Sequence, residues 1–197
     1  MGKEWLAMFL DEMIDYNKRF VKNKEYVQYQ TSKLPDKKLV VVSCMDTRLT
    51  ELLPKAMNLR NGDAKILKTA GAVVSHPFGS IMRSIIVAIY DLNAHEVCVV
   101  GHHDCGMTHV NASETTRKMI ERGISEQTIS TLNYSGIKIK DWLRGFDSVS
   151  ESVRQSVEVI RNHPLIPKDI PVHGLVINPE TGALDIIENG NSYKSQP

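Results

Sequence analysis

A chain of 197 residues is long enough for one sizeable core and short for two, and a hydrophobic fraction of 42% with a charged fraction of 24% excludes disorder and fibrous repeats. Twenty-four Lys and Arg against twenty-three Asp and Glu leave a formal charge of +1, which gives no footprint for nucleic acid or for an anionic membrane. Three cysteines, an odd number, argue against a disulfide framework and for reduced thiols with some other employment.

Trp5, Phe9, Met13, Tyr16 and Phe20 recur every three to four positions and predict an amphipathic helix whose apolar stripe must cover something. Glu4, Asp11, Glu12 and Asp15 interrupt this stretch, so it offers neither a signal peptide's apolar core nor a membrane span, and a cytoplasmic location follows by default. Residues 1–35 read as an N-terminal helical arm and 36–197 as a single domain. The β-branched run over 39–42 predicts a strand buried on both faces, ending at Cys44. A helix over 49–59, a short strand over 64–67 and a helix over 77–92, apolar nearly all round, come next. The run 96–100 is a second buried strand leading into Gly101. Between 111 and 144 the apolar content thins, and short helices and loops over a scaffold are expected. Val149, Val153, Val157 and Ile160 define a helix closed by Asn162, His163 and Pro164. Strands over 172–177 and 183–187, joined by the turn 178–182, form a hairpin. Strands alternating with helices imply an α/β fold around a mostly parallel sheet, in which ligands gather at the carboxyl ends of strands.

Both chemical motifs fall at such ends. Cys44 follows the first buried strand, and His102 with Cys105 follows the second, so two thiolates and an imidazole can meet, a set that suits Zn²⁺. Taken singly, Cys44 and Cys105 read equally well as ordinary buried thiols; the joint pattern with flanking Gly101 and Gly106 favours a metal. Three protein ligands leave a fourth position open, as catalytic sites do. Cys98 alternates inside a valine-rich strand and reads as core. His76, His95, His109, His163 and His173 lack ligand spacing and fit surface or capping positions.

Cys44-Met45-Asp46-Thr47-Arg48 resembles the Cys-x-Asp-Ser/Thr-Arg motif of the beta-class carbonic anhydrases, and Gly101-His102-His103-Asp104-Cys105-Gly106-Met107 resembles that family's second motif. Gly62-Asp63, Ala70-Gly71, Ser152-Val153-Arg154 and Thr181-Gly182-Ala183-Leu184 extend the similarity over residues 36–188. The chain departs from the family at Lys68-Thr69, where Arg-Asn is more usual, and at His103, where Ser is common. The resemblance implies four parallel strands plus an antiparallel one, one Zn²⁺ per chain on Cys44, His102 and Cys105, and an N-terminal helix packed on a partner in a homodimer or homotetramer. It further implies reversible hydration of carbon dioxide to bicarbonate by a metal-activated water. Two thiolates would acidify that water less than three histidines do.

Within that reading Asp46 and Arg48 are the catalytic pair. The Asp46 carboxylate can reach either the guanidinium, which keeps it ionised and able to orient the attacking water, or the metal's fourth position, which closes the site. The alternatives are a surface ion pair or a helix N-cap. Gly106 offers a backbone N–H to bicarbonate or makes a tight turn, and the 70–74 segment with Gly71 walls the CO₂ space or packs the core. His103 and Asp104 support the ligands or accept a proton, while His103 also fits a solvated loop. Two other functions remain open: hydrolysis of carbon disulfide or carbonyl sulfide on the same zinc, and a purely structural zinc with Asp46 as permanent fourth ligand.

Overall fold

Six consecutive residues of β1 (Leu39–Cys44) are buried, because the strand lies inside a sheet with neighbours on both edges and helices on both faces. The computed structural model describes residues 2–193, with side chains described from Phe9 onward. The chain divides into two compact units, Met1–Lys33 and Leu34–Pro197. The first holds α1 (Gly2–Lys22) and a 3₁₀ turn, Glu25–Tyr29. The Phe20 ring lies 6.4 Å from Tyr16 and 6.3 Å from Tyr29. Of the expected stripe, Phe9, Met13 and Tyr16 are exposed, at 58%, 48% and 57%; the Trp5 side chain lies outside the described residues. Among the described residues no helix is long and apolar enough to cross a membrane.

The second unit is a five-stranded sheet ordered β2-β1-β3-β4-β5. The strands β1, β2 (Ala64–Thr69), β3 (Glu96–His102) and β4 (Val172–Ile177) run parallel, and β5 (Leu184–Glu188) is antiparallel to β4. This is the α/β arrangement that the alternation of elements predicts, with its parallel strands flanked by helices. The period of two sends Val40, Val42, Val97 and Val99 to one face, where α3 (Ser80–Tyr90) and α7 (Val149–Arg161) cover them through Met82, Ile85, Val157 and Ile160. Leu39, Val41, Cys98 and Val100 point to the other face and meet Leu49 and Leu53 of α2 (Leu49–Ala56). Cys98 is therefore core, and burial with the nearby Glu96 carboxylate pushes its thiol up to about 12. α7 approaches β3 and β4 closely because Gly101 and Gly174 leave no Cβ in the way of Val153.

Several boundaries differ from the sequence reading. The helix expected over 49–59 ends at Ala56, because Asn58 takes a left-handed conformation, φ 51°, that stops the helix. The helix expected from 77 begins at Ser80, since His76 O accepts from Gly79 N in a turn that occupies the first residues. Its Val87 and Tyr90 are exposed, so its apolar surface is not all buried. β2 and β3 run two residues further than expected because parallel pairing continues to Cys44↔Thr69 and His102↔Ile177. The 111–144 stretch holds α4 (Ala112–Glu121), α5 (Glu126–Tyr134) and the single turn α6 (Ile139–Trp142). His163, just past the end of α7, is buried, and its Nδ1 accepts from Leu165 N.

Ile160 is fully buried between α7 and the sheet. Ile160→Ala should cost about 2–5 kcal/mol of unfolding free energy in urea titration. A loss under about 1 kcal/mol would mean that this face of the sheet is not packed as described.

Candidate metal centre and active site

The parallel pairing of β1 with β3 puts the carboxyl ends of two buried strands side by side, and each end carries a metal-binding side chain. Cys44 is the last residue of β1 and His102 the last of β3, so both lie on the strands themselves. The chain then turns through Asp104, φ 53°, to present Cys105. Donor atoms of Cys44, His102 and Cys105 lie within 4.8 Å of one another, and all three residues are buried.

The donor set fits a single soft or borderline cation. The two sulfurs are 4.0 Å apart, close to the roughly 3.8 Å expected when two Zn–S bonds of about 2.3 Å meet at a tetrahedral angle. It is nearly twice a disulfide's length of about 2.05 Å, and all three cysteines are free. His102 is 0% exposed. Its Nδ1 is 2.8 Å from the His103 carbonyl oxygen, to which an N–H donates. That bond leaves Nε2 with a lone pair, and Nε2 is buried with no hydrogen-bond partner. A buried acceptor in a group with two thiols is an arrangement that a metal ion could complete. Burial pushes the Cys105 thiol up, and deprotonation on binding a cation would offset that cost.

Asp46 and Arg48 stand at the mouth of this group. Asp46 Oδ2 is 2.9 Å from Arg48 Nη2 and 3.7 Å from His102 Nε2, so one carboxylate is within reach of both the guanidinium and the ligand group. Oδ1 also accepts from the Arg48 backbone amide at 2.9 Å. These bonds to Arg48 hold the Asp46 carboxyl at about 2, well below its ordinary 3.8. The pair is thus more than a chance surface contact. Arg48 begins α2 as its N-cap residue without a side-chain cap.

A cleft of about 550 Å³ opens over the group, lined by Cys44, Met45, Asp46, Arg48, Gly71, Cys105, Gly106, Met107 and Val110 among others. Gly106 faces open space, with nothing within 4 Å of where a Cβ would stand, and its φ is not positive. No tight turn requires glycine there. Gly71 does need to be glycine: its φ is +71°, and a Cβ would collide with Phe146 Cε1 at 2.6 Å. Its amide donates to Cys44 Sγ at 3.3 Å, so Gly71 supports a ligand as well as walling the cleft. His103 turns away from the cleft to Asp185, at 3.4 Å.

Sequence reasoning missed two things. Arg48 Nη1 also reaches Asp104 Oδ2 at 3.1 Å, and Nη2 donates to the Asp104 carbonyl oxygen at 3.1 Å, so the guanidinium ties the two ligand motifs together. The positive φ of Asp104 permits this, and an Asp within the second motif was the available signal. Phe146, packed on Gly71, gave no signal because it lies beyond the poorly patterned 111–144 stretch.

Comparison with known proteins points to one family, whose named members include two activities. The family profile described as carbonic anhydrase matches residues 39–184. YtiB of Bacillus subtilis (strain 168), provisionally named a carbonic anhydrase, is 60% identical over 181 residues, covering 92% of this chain and 97% of its own. The crystal structure of beta-carbonic anhydrase isoform I from Trichomonas vaginalis superposes with a TM-score of 0.82 at 32% identity, over 92% of this chain and 98% of that one. A carbon disulfide hydrolase of Acidianus sp. (strain A1-3) is 29% identical, over 93% of this chain and 89% of its own.

The Asp46–Arg48 pair makes a direct prediction. Because the folded carboxyl sits at about 2 against 3.8, its stabilising contribution is complete above the ordinary value and is lost as pH falls toward 2. In metal-free Arg48→Ala, where no cation can take the carboxylate over, carboxyl-carbon NMR should find Asp46 titrating near the ordinary value again. A titration left at about 2 would assign the shift to some other group.

Proposed function

This chain is a member of the beta-class carbonic anhydrase family, and we propose that it performs the reaction for which that family is named, CO₂ + H₂O ⇌ HCO₃⁻ + H⁺, with one zinc ion per chain. The observation that carries the reading is the buried Cys44, His102 and Cys105 group, with its unpartnered imidazole nitrogen, beside a carboxylate held by arginine. A zinc ion on these three residues supplies Lewis acidity that makes a water nucleophilic near neutral pH.

The chain's own residues do the rest. Asp46, kept ionised by Arg48, accepts a hydrogen bond from the attacking water and turns it toward the substrate carbon. Arg48 keeps the carboxylate from swinging onto the ligand group, 3.7 Å away at His102 Nε2, and Asp104 steadies Arg48 from the other side. Freed from Arg48, Asp46 would close the site. Met107, Val110 and Gly71 give the cleft an apolar side suited to CO₂. The open ground in front of Gly106 supports its backbone N–H as a partner for bicarbonate.

The second reading, hydrolysis of carbon disulfide, is favoured by the 29% identical Acidianus relative of that name. The 60% identity to a protein named a carbonic anhydrase weighs the other way. A structural zinc is disfavoured by Arg48, which gives Asp46 another partner. The exposed Phe9, Met13 and Tyr16 support a homodimer or homotetramer built on the N-terminal arm, and the three free thiols accord with a cytoplasmic setting. No nucleic acid or membrane partner is proposed.

Stopped-flow CO₂ hydration of the zinc-loaded protein tests the activity, with sulfide release from CS₂ run beside it. CO₂ turnover should dominate; sulfide release with no CO₂ hydration between about pH 6 and 9 would transfer the assignment. Arg48→Ala should lose about 100-fold or more in kcat while keeping its zinc, because the three ligands are untouched. Unchanged activity in that variant would remove Arg48 from the mechanism. Deleting residues 1–33 should dissociate or unfold the assembly, whereas an active monomer would contradict the role given to the arm.

A further inference from the structure

One sulfur of the metal group is met by a backbone amide, Gly71 N donating to Cys44 Sγ at 3.3 Å, and Met107 stands two residues beyond Cys105, which carries the other sulfur. Such a bond draws charge from a ligand thiolate and fixes the direction of its sulfur. Gly71 sits in the three-residue Ala70–Ala72 turn and Met107 in the 3₁₀ turn Gly106–His109.

Gly71 rests on Phe146, and Met107 on both Gly145 and Phe146, in the segment just before α7. The Phe146 ring is packed so close to Gly71 that a Cβ there would lie 2.6 Å from its Cε1, and Met107 Cγ would be 3.0 Å away. Phe146 N also donates to the Met107 carbonyl oxygen at 3.4 Å. Gly145 approaches that same oxygen so closely that a Cβ would stand 2.0 Å from it. Phe146 itself borders a separate polar cavity of about 440 Å³ with Arg144, Ser148, Glu151 and Gln155.

We propose that Gly145 and Phe146 are positioning residues, a brace that holds the Gly71 amide on the Cys44 sulfur and the turn that follows Cys105 in place, and so sets how firmly the group keeps its metal. The proposal rests on the reading of Cys44, His102 and Cys105 as ligands. It accounts for two features that substrate binding leaves unexplained: a bulky apolar side chain at 146 against Gly71 and no side chain at 145 beside the Met107 carbonyl. Removing the ring frees the Ala70–Ala72 turn, and adding a methyl at 145 displaces the Met107 carbonyl and its peptide.

The test uses the zinc protein and its cobalt-substituted form. In Phe146→Ala and in Gly145→Ala, zinc capture by pyridylazoresorcinol should accelerate about 10- to 100-fold. The sulfur-to-cobalt charge-transfer bands should shift in the same variants, and Phe146→Leu should restore most of both properties. Ile160→Ala, a core variant remote from the sulfurs, should lower the thermal midpoint while leaving bands and capture rate native. Should Phe146→Ala fail to fold, an ester in place of the Gly71 amide removes the same hydrogen bond with no change of side chain, and must shift the bands. Native bands and capture rate in the brace variants or the ester, or the same changes in Ile160→Ala, would overturn the proposal. A native protein that takes up neither metal on these ligands would overturn the reading beneath it as well.

Discussion

The parallel pairing of β1 with β3 is the constraint on which the site depends. It requires a crossover between the strands, and it sets their carboxyl ends side by side, with Cys44 and His102 upon them, although the two residues are far apart in the chain. Both strands are buried on both faces, so neither can slip in register without carrying its apolar set out of two cores at once. The donor geometry is thereby built largely into two buried strands, and only Cys105 is delivered by a turn.

Placing such donors in the interior is costly without a cation. An unpartnered buried acceptor such as His102 Nε2 costs about 1–3 kcal/mol, and burial opposes ionisation of the Cys105 thiol. A metal that binds the folded chain and not the unfolded one offsets both terms and stabilises the fold by linkage. The same balance explains why Asp46 is tied elsewhere. Bonds from the Arg48 side chain and backbone, with Asp104 on the far side of the guanidinium, make the carboxylate's resting partner an arginine. The mouth of the group is then left to water and substrate.

Much of this was legible in the sequence, and the exceptions have physical causes. The buried strands announced themselves through β-branched runs, and the ligands through their position after those runs, because a parallel sheet leaves few other places for a site. Helix ends were less legible: the left-handed Asn58 and the turn before Gly79 are local backbone choices that periodicity does not register. Gly71 was noticed as part of the substrate wall, but its amide bond to Cys44 depends on a turn geometry that no spacing encodes. Phe146 was invisible for a different reason. Its importance comes from a contact across the fold, with Gly71, while its own neighbourhood carries no regular apolar pattern.

The proposed centre is a zinc held by two sulfurs and one imidazole, next to a carboxylate that is bound to arginine instead. Zinc K-edge X-ray absorption on the purified protein at about pH 8.5 tests that centre most directly. The account predicts one zinc per chain with two sulfur neighbours, one imidazole nitrogen and one further light atom contributed by solvent, unchanged in Asp46→Asn. A shell of three or four sulfurs, a shell without imidazole, or loss of the light neighbour in Asp46→Asn would contradict it.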